Sequence, residues 1–183
     1  MKVAPTILLL FSTLGLASAQ NAAPQVKSPF AVAVDTLRAT MLKLTSNHTL
    51  TAADGKVLPY NLSILDVSGN PSTCAVTWKA HTDLGSENIT ETVVVKVREI
   101  QRVNSLSSIN TKMNVDPAIQ IVQIHMNPNV TVIRTSERFN PDGSLKGTPE
   151  TNQGPVAVIY ANSESEGTAV VKQLTDVMMA CNP

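Results

Sequence analysis

Aromatic side chains are scarce: the chain holds one Trp, two Tyr and three Phe among 183 residues. Val, Ile, Thr and Ser abound instead, a mix that favours β structure around an aliphatic core. A surplus of either charge is also missing, with 14 basic residues against 14 acidic. Removing Lys2 with the leader described below leaves 13 basic residues against 14 acidic. That balance speaks against nucleic acid or an anionic membrane as partner.

Long apolar runs are absent after the amino terminus. Met1 to Ala19 combines a basic start at Lys2, an apolar run from Ile7 to Leu16 and the small-x-small site Ala17-Ser18-Ala19. This is the pattern of a secretory signal peptide. The run falls short of the roughly 20 apolar residues a spanning helix needs, so no transmembrane segment is expected. The reading is therefore residues 1–19 as signal peptide, 20–28 as a flexible polar leader, and 29–183 as a single secreted or periplasmic domain. That length suits one domain with a real core.

Cysteine is limited to Cys74 and Cys181. In an oxidising compartment two cysteines allow one intramolecular pairing, and a Cys74 to Cys181 disulfide is expected. It would close a loop of 107 residues, worth up to about 4.7 kcal/mol in the chain-entropy model.

The motifs of familiar chemistries are missing too. Neither H-x-x-x-H nor C-x-x-C occurs, and His48, His81 and His125 stand isolated, reading as loop or strand-surface residues rather than metal ligands. G-x-S-x-G, G-x-x-x-x-G-K-[ST] and G-x-G-x-x-G are absent, so no cofactor is expected. Asn140-Pro141-Asp142-Gly143 lacks the glutamate that would complete a calcium loop and reads as a turn. Glu87, Glu91, Glu99 and Glu137 fall in loops or near strand ends and read as solvated charges. Lys79, Lys96 and Arg98 share one face of a hairpin and form a candidate anion site. Sequons stand at Asn47, Asn61, Asn88 and Asn129, glycan acceptors if the source is a eukaryote.

What is present is periodicity. Ser163 to Cys181 places Val170, Val171, Leu174, Val177, Met178 and Cys181 on one helical stripe. Ser163 and Glu166 have capping-box spacing, and Asn182-Pro183 ends the run. A shorter helix starts at Ser28-Pro29 and carries Phe30, Val34, Leu37, Met41 and Leu44. Its stripe suits either packing on the domain or self-association with a second copy.

Between the helices, strands are expected at Tyr60–Val67, Cys74–Ala80, Ile89–Arg98, Asn104–Met113, Ile119–Met126, Val130–Glu137 and Val156–Tyr160. Thr45 to Pro59 reads as a polar connection. Trp78 is expected opposite Val93, Val76 opposite Val95 and Cys74 opposite Val97. Val122 opposite Val132 gives a second hairpin, closed at Asn127-Pro128-Asn129.

The fold class is α+β, with about seven antiparallel strands and a carboxy-terminal capping helix. In order and number, Tyr60 to Cys181 resembles a PH-like β-barrel or split sheet; a curved meander with helices on one face is the simpler alternative. The likeness is topological and implies no function. The leading expectation is a non-catalytic domain binding a small-molecule ligand or a protein through its sheet face or barrel end. The alternatives are a hydrolase-type enzyme assembled only in three dimensions, and a structural envelope or matrix protein.

Overall fold

The computed structural model describes residues 27–111 and 115–181. The signal-peptide segment, most of the expected leader and Asn182-Pro183 lie outside them. No helix among the described residues is long and apolar enough to cross a membrane.

Helix α1 spans Pro29–Met41, with Pro29 in its first turn and the Ser28 Oγ accepting from the Ala31 N–H at 3.2 Å. Strands β1 (Thr45–Thr51), β2 (Val57–Asn70), β3 (Ala75–Asp83) and β4 (Asn88–Lys96) follow as successive hairpins. The chain then runs through β5 (Ile100–Ser107), β6 (Val115–Asp116), β7 (Gln120–Met126), β8 (Val132–Phe139), β9 (Glu150–Gly154) and β10 (Val156–Ala161). Helix α2, Glu164–Cys181, closes it.

The strands form two antiparallel sheets that do not close into a barrel. The larger has order β6-β1-β2-β3-β4-β8-β9 and the smaller β10-β7-β5. The antiparallel strands and flanking helices are those of the expected α+β class, but no barrel closes, because from β4 onward the chain crosses between the sheets five times. The expected β7–β8 hairpin does not form: β7 pairs with β5 and β10, whereas β8 pairs with β4 and β9. Val122 therefore faces Ile159 and Ser105 rather than Val132, and Ile133 lies opposite Val94 rather than Ile121. Asn129, at φ +69°, lies in the corner that redirects the chain, a conformation asparagine tolerates better than most residues. Pro155 sits between β9 and β10 at the last change of sheet.

Part of the expected polar connection Thr45–Pro59 is a strand, and a further strand lies outside the expected set. Thr45–Thr51 pairs along its length with β2, and Glu150–Gly154 pairs with β8. Pro59 is accommodated within β2 because the β3 partnership begins only at Asn61. β5 starts at Ile100 and gives way at Ser108 to a 3-10 turn, earlier than the expected Asn104–Met113. β2 runs through Ser68 and Gly69 to Asn70, so the turn before β3 begins at Pro71.

The central hairpin has the expected register, with Trp78 opposite Val93 and Val76 opposite Val95. One step beyond the ladder, the Val97 N–H donates to the Cys74 carbonyl at 2.8 Å. These inward residues join both helix stripes in one core that includes Phe30, Leu37, Trp78, Val93, Val170 and Val177. The α1 stripe is thus buried within its own domain. Two glycines permit close approach: a Cβ on Gly167 of α2 would lie 2.7 Å from the Ser105 Oγ, and one on Gly69 would lie 2.7 Å from Val34. Cys74 and Cys181 meet at disulfide distance, with Cα atoms 6.0 Å apart.

At the start of α2, the Ser163 Oγ accepts from the Glu166 N–H at 3.3 Å, as a capping box requires. The Glu166 carboxylate reaches one residue further back and accepts from the Asn162 N–H at 2.8 Å.

Candidate functional site

Alternation along β3, β4 and β8 turns Trp78, Ala80, Glu91, Val93, Arg134 and Ser136 to the inner face of the large sheet. β10 of the small sheet lies over this face and offers Val156, Val158 and Tyr160. In the cleft between them is a cavity of about 40 Å³, with Trp78, Ala80, Thr82 and Glu91 on one side and Val158 and Tyr160 on the other. A hollow of about 150 Å³ follows, bounded by Arg134, Asn152, Gly154 and Val156. The first has room for a few waters or a small functional group.

Glu91 marks this cleft. Its Oε1 lies 3.4 Å from the Arg134 Nε, with the two side chains 29% and 32% exposed. The same oxygen accepts from the Ser136 Oγ at 3.3 Å. Arg134 also donates from an Nη to the Val156 carbonyl at 3.5 Å, linking the two sheets. Sequence reasoning placed Glu91 among the solvated charges; the structure sets it, partly shielded, in the lining of the cleft.

Tyr60 and Tyr160 meet edge-on nearby, their ring centroids 6.1 Å apart. Burial pushes the Tyr60 phenol well above its ordinary range, reinforced by Tyr160 and by the charge of Glu91. Tyr160 is raised chiefly by burial, with Glu91 adding to the shift and Tyr60 and Arg134 opposing it. Both phenols therefore stay protonated near neutrality, as hydrogen-bond donors rather than bases. Neither was singled out from sequence; 100 positions separate them, and no local pattern links them.

The remaining candidate residues do not converge on this cleft. His48 is buried on the inner face of β1, contrary to the surface position expected of it. The Asn162 side-chain amide donates to the Thr45 carbonyl at 2.9 Å, leaving its Oδ1 to face the His48 Nε2 at 3.2 Å. The Asn162 Oδ1 can only accept, so Nε2 donates to it, and Nδ1 is buried with no hydrogen-bond partner among the described residues. His81 lies on the outer face of β3, and His125 on β7 sits 3.3 Å from the Gln123 Oε1. Neither hollow of the cleft is lined by a histidine. Among the described residues there is no group of three or more His, Cys, Asp or Glu that could hold a metal ion.

The proposed anion cluster comes apart. Arg98 lies in a 3-10 turn and donates from Nε to the Cys181 carbonyl at 3.1 Å, while Lys79 lies opposite Asp66 and Lys96 opposite Ala75. Glu87 is held between Arg138 at 2.8 Å and Lys146 at 3.1 Å, and these cations lower its pKa. Glu99 belongs to the same 3-10 turn as Arg98, and Glu137 sits opposite Thr90. Asp142 accepts from the Ser144 N–H at 2.9 Å and Oγ at 2.6 Å, as an Asx turn does.

His125 provides a pH test. Burial, with Arg102 adding to it, lowers its pKa below the ordinary value. The unfolded chain then binds the proton first, so this group's contribution is complete above about pH 6.5 and declines as pH falls below it. His125→Gln is expected to flatten that part of the stability profile in urea titrations between pH 5 and 8, while an unchanged slope would exclude the effect.

No family model matches the chain, and no curated protein or solved structure matches it.

Proposed function

We propose that this chain is an exported, non-catalytic binding domain that takes a small polar molecule in the cleft between its two sheets. The observation that carries the reading is the Glu91–Arg134 pair, less than a third exposed, between the two hollows. Removing charges from water is costly, so a pair in such a position contributes little to stability by itself. What it offers is a carboxylate acceptor beside a guanidinium donor, a match for a molecule presenting a donor and an acceptor together, as an amide does. The neutral phenols and the histidine-free lining favour binding over proton transfer. Export is supported by the amino-terminal pattern and by the disulfide pair.

Titration with capped amino-acid amides, followed by amide chemical shifts, tests the reading. Shifts are expected at Glu91, Arg134, Val158 and Tyr160, and Glu91→Gln should weaken binding about tenfold or more, as loss of one charge-assisted hydrogen bond implies. Shifts confined to the outer face of the large sheet would refute it.

A further inference from the structure

The four sequons fall into two structural groups. Asn47 lies opposite Asn61, Asn61 opposite Asp83, and Asp83 opposite Asn88, so three of the acceptor asparagines share one row across β1 to β4. Directly opposed side chains in a sheet stand about 4.5–5.5 Å apart at Cβ. Asn61 is confined between Asn47 and Asp83, and its amide already donates to the Asp83 Oδ2 at 3.2 Å. Asn88 is confined between Asp83 and Phe139, and the Thr90 of its sequon is buried.

The other two are open. Asn47 is exposed and lies opposite Asn61, and among the described residues β6 pairs with Thr49 and Leu50 of β1 rather than with Asn47. Asn129 is exposed at the corner between β7 and β8, held at φ +69° outside any ladder, and Thr131 of its sequon is exposed as well.

We propose that, when the chain passes through a eukaryotic secretory pathway, Asn47 and Asn129 carry N-linked glycans in the folded protein and Asn61 and Asn88 do not. A glycan is attached before folding is complete, so the fold does not decide which sequon is offered. It decides which modified chain completes its hairpins. A bulky sugar on Asn61 or Asn88 is crowded at its root by the side chains of two neighbouring strands, whereas one on Asn47 or Asn129 starts from an exposed side chain. The two accepted sites lie toward opposite ends of the large sheet's strands, leaving the row Lys79, Thr92, Thr135 and Thr151 between them uncovered.

The test is secretion of the full chain, with its own leader, from a eukaryotic cell. Enzymatic glycan release in heavy-oxygen water then converts each occupied asparagine to labelled aspartate for peptide mass analysis. Label is expected at Asn47 and Asn129, with Asn47→Gln and Asn129→Gln each removing one glycan from the intact mass. Label at Asn61 or Asn88 in the secreted protein, its absence from Asn47 or Asn129, or failure of the chain to be exported would overturn the proposal. It shares with the binding reading only the premise of export, and cleft binding measured on unglycosylated protein stands or falls separately.

Discussion

Cys181→Ser is expected to lower the unfolding free energy by about 2 to 5 kcal/mol, the usual cost of removing a disulfide from a small exported domain. The bond ties the end of α2 to the turn before β3, across 107 positions of sequence. Without it, α2 is held by Val170, Leu174 and Val177, each fully or almost fully buried. These contacts lie up to three turns before the bond, so the body of the helix should remain docked while the last turn loosens. The Arg98 bond to the Cys181 carbonyl would weaken with that turn, so Arg98→Ala should cost about 1 kcal/mol in the oxidised protein and less in the variant. Urea unfolding with and without reductant measures the effect. Equal midpoints would show that the bridge does not stabilise the fold.

The parts of this fold legible in the sequence are those where local alternation and burial agree. Val93, Val95 and Val97 alternate with Thr92, Val94 and Lys96, and one register places Trp78 and Val76 against them, so β3 and β4 could be aligned residue by residue. Both helix stripes were equally plain. β1 was hidden because its buried inward position is occupied by His48, so a true alternation looked like a polar connection. β9 was hidden because an edge strand exposed on both faces needs no apolar residue.

The β7–β8 connection failed for a different reason. Asn127-Pro128-Asn129 bends the chain whether the next strand returns beside the first or enters another sheet, and the aliphatics of Ile121, Val122, Val132 and Ile133 fit either outcome. The choice is made by distant partners, β4 and β9 for one strand and β5 and β10 for the other. The cleft inherits this difficulty. Glu91 and Arg134 are next-row neighbours only because β4 pairs with β8, and Tyr160 reaches them only because β10 leaves the large sheet.

The same dependence on long-range packing makes Leu37→Ala the sharpest test of what α1 does. Leu37 is completely buried, beside Met41 and along the stripe with Phe30 and Val34, where α1 packs on α2 and β2. Truncating it leaves a cavity that rigid neighbours on two elements can fill only in part, so a loss of about 2 to 5 kcal/mol is expected. Were the stripe instead an interface between copies, the monomer would scarcely notice the change and stability would depend on protein concentration. Val32, 52% exposed on the opposite side of the helix, supplies the control: Val32→Ala should change stability by less than about 0.5 kcal/mol. A large, concentration-independent drop for Leu37→Ala beside a silent Val32→Ala would establish α1 as part of the core that supports both sheets. A small effect for both, with a midpoint that moves on dilution, would return the helix to the role of an intermolecular arm.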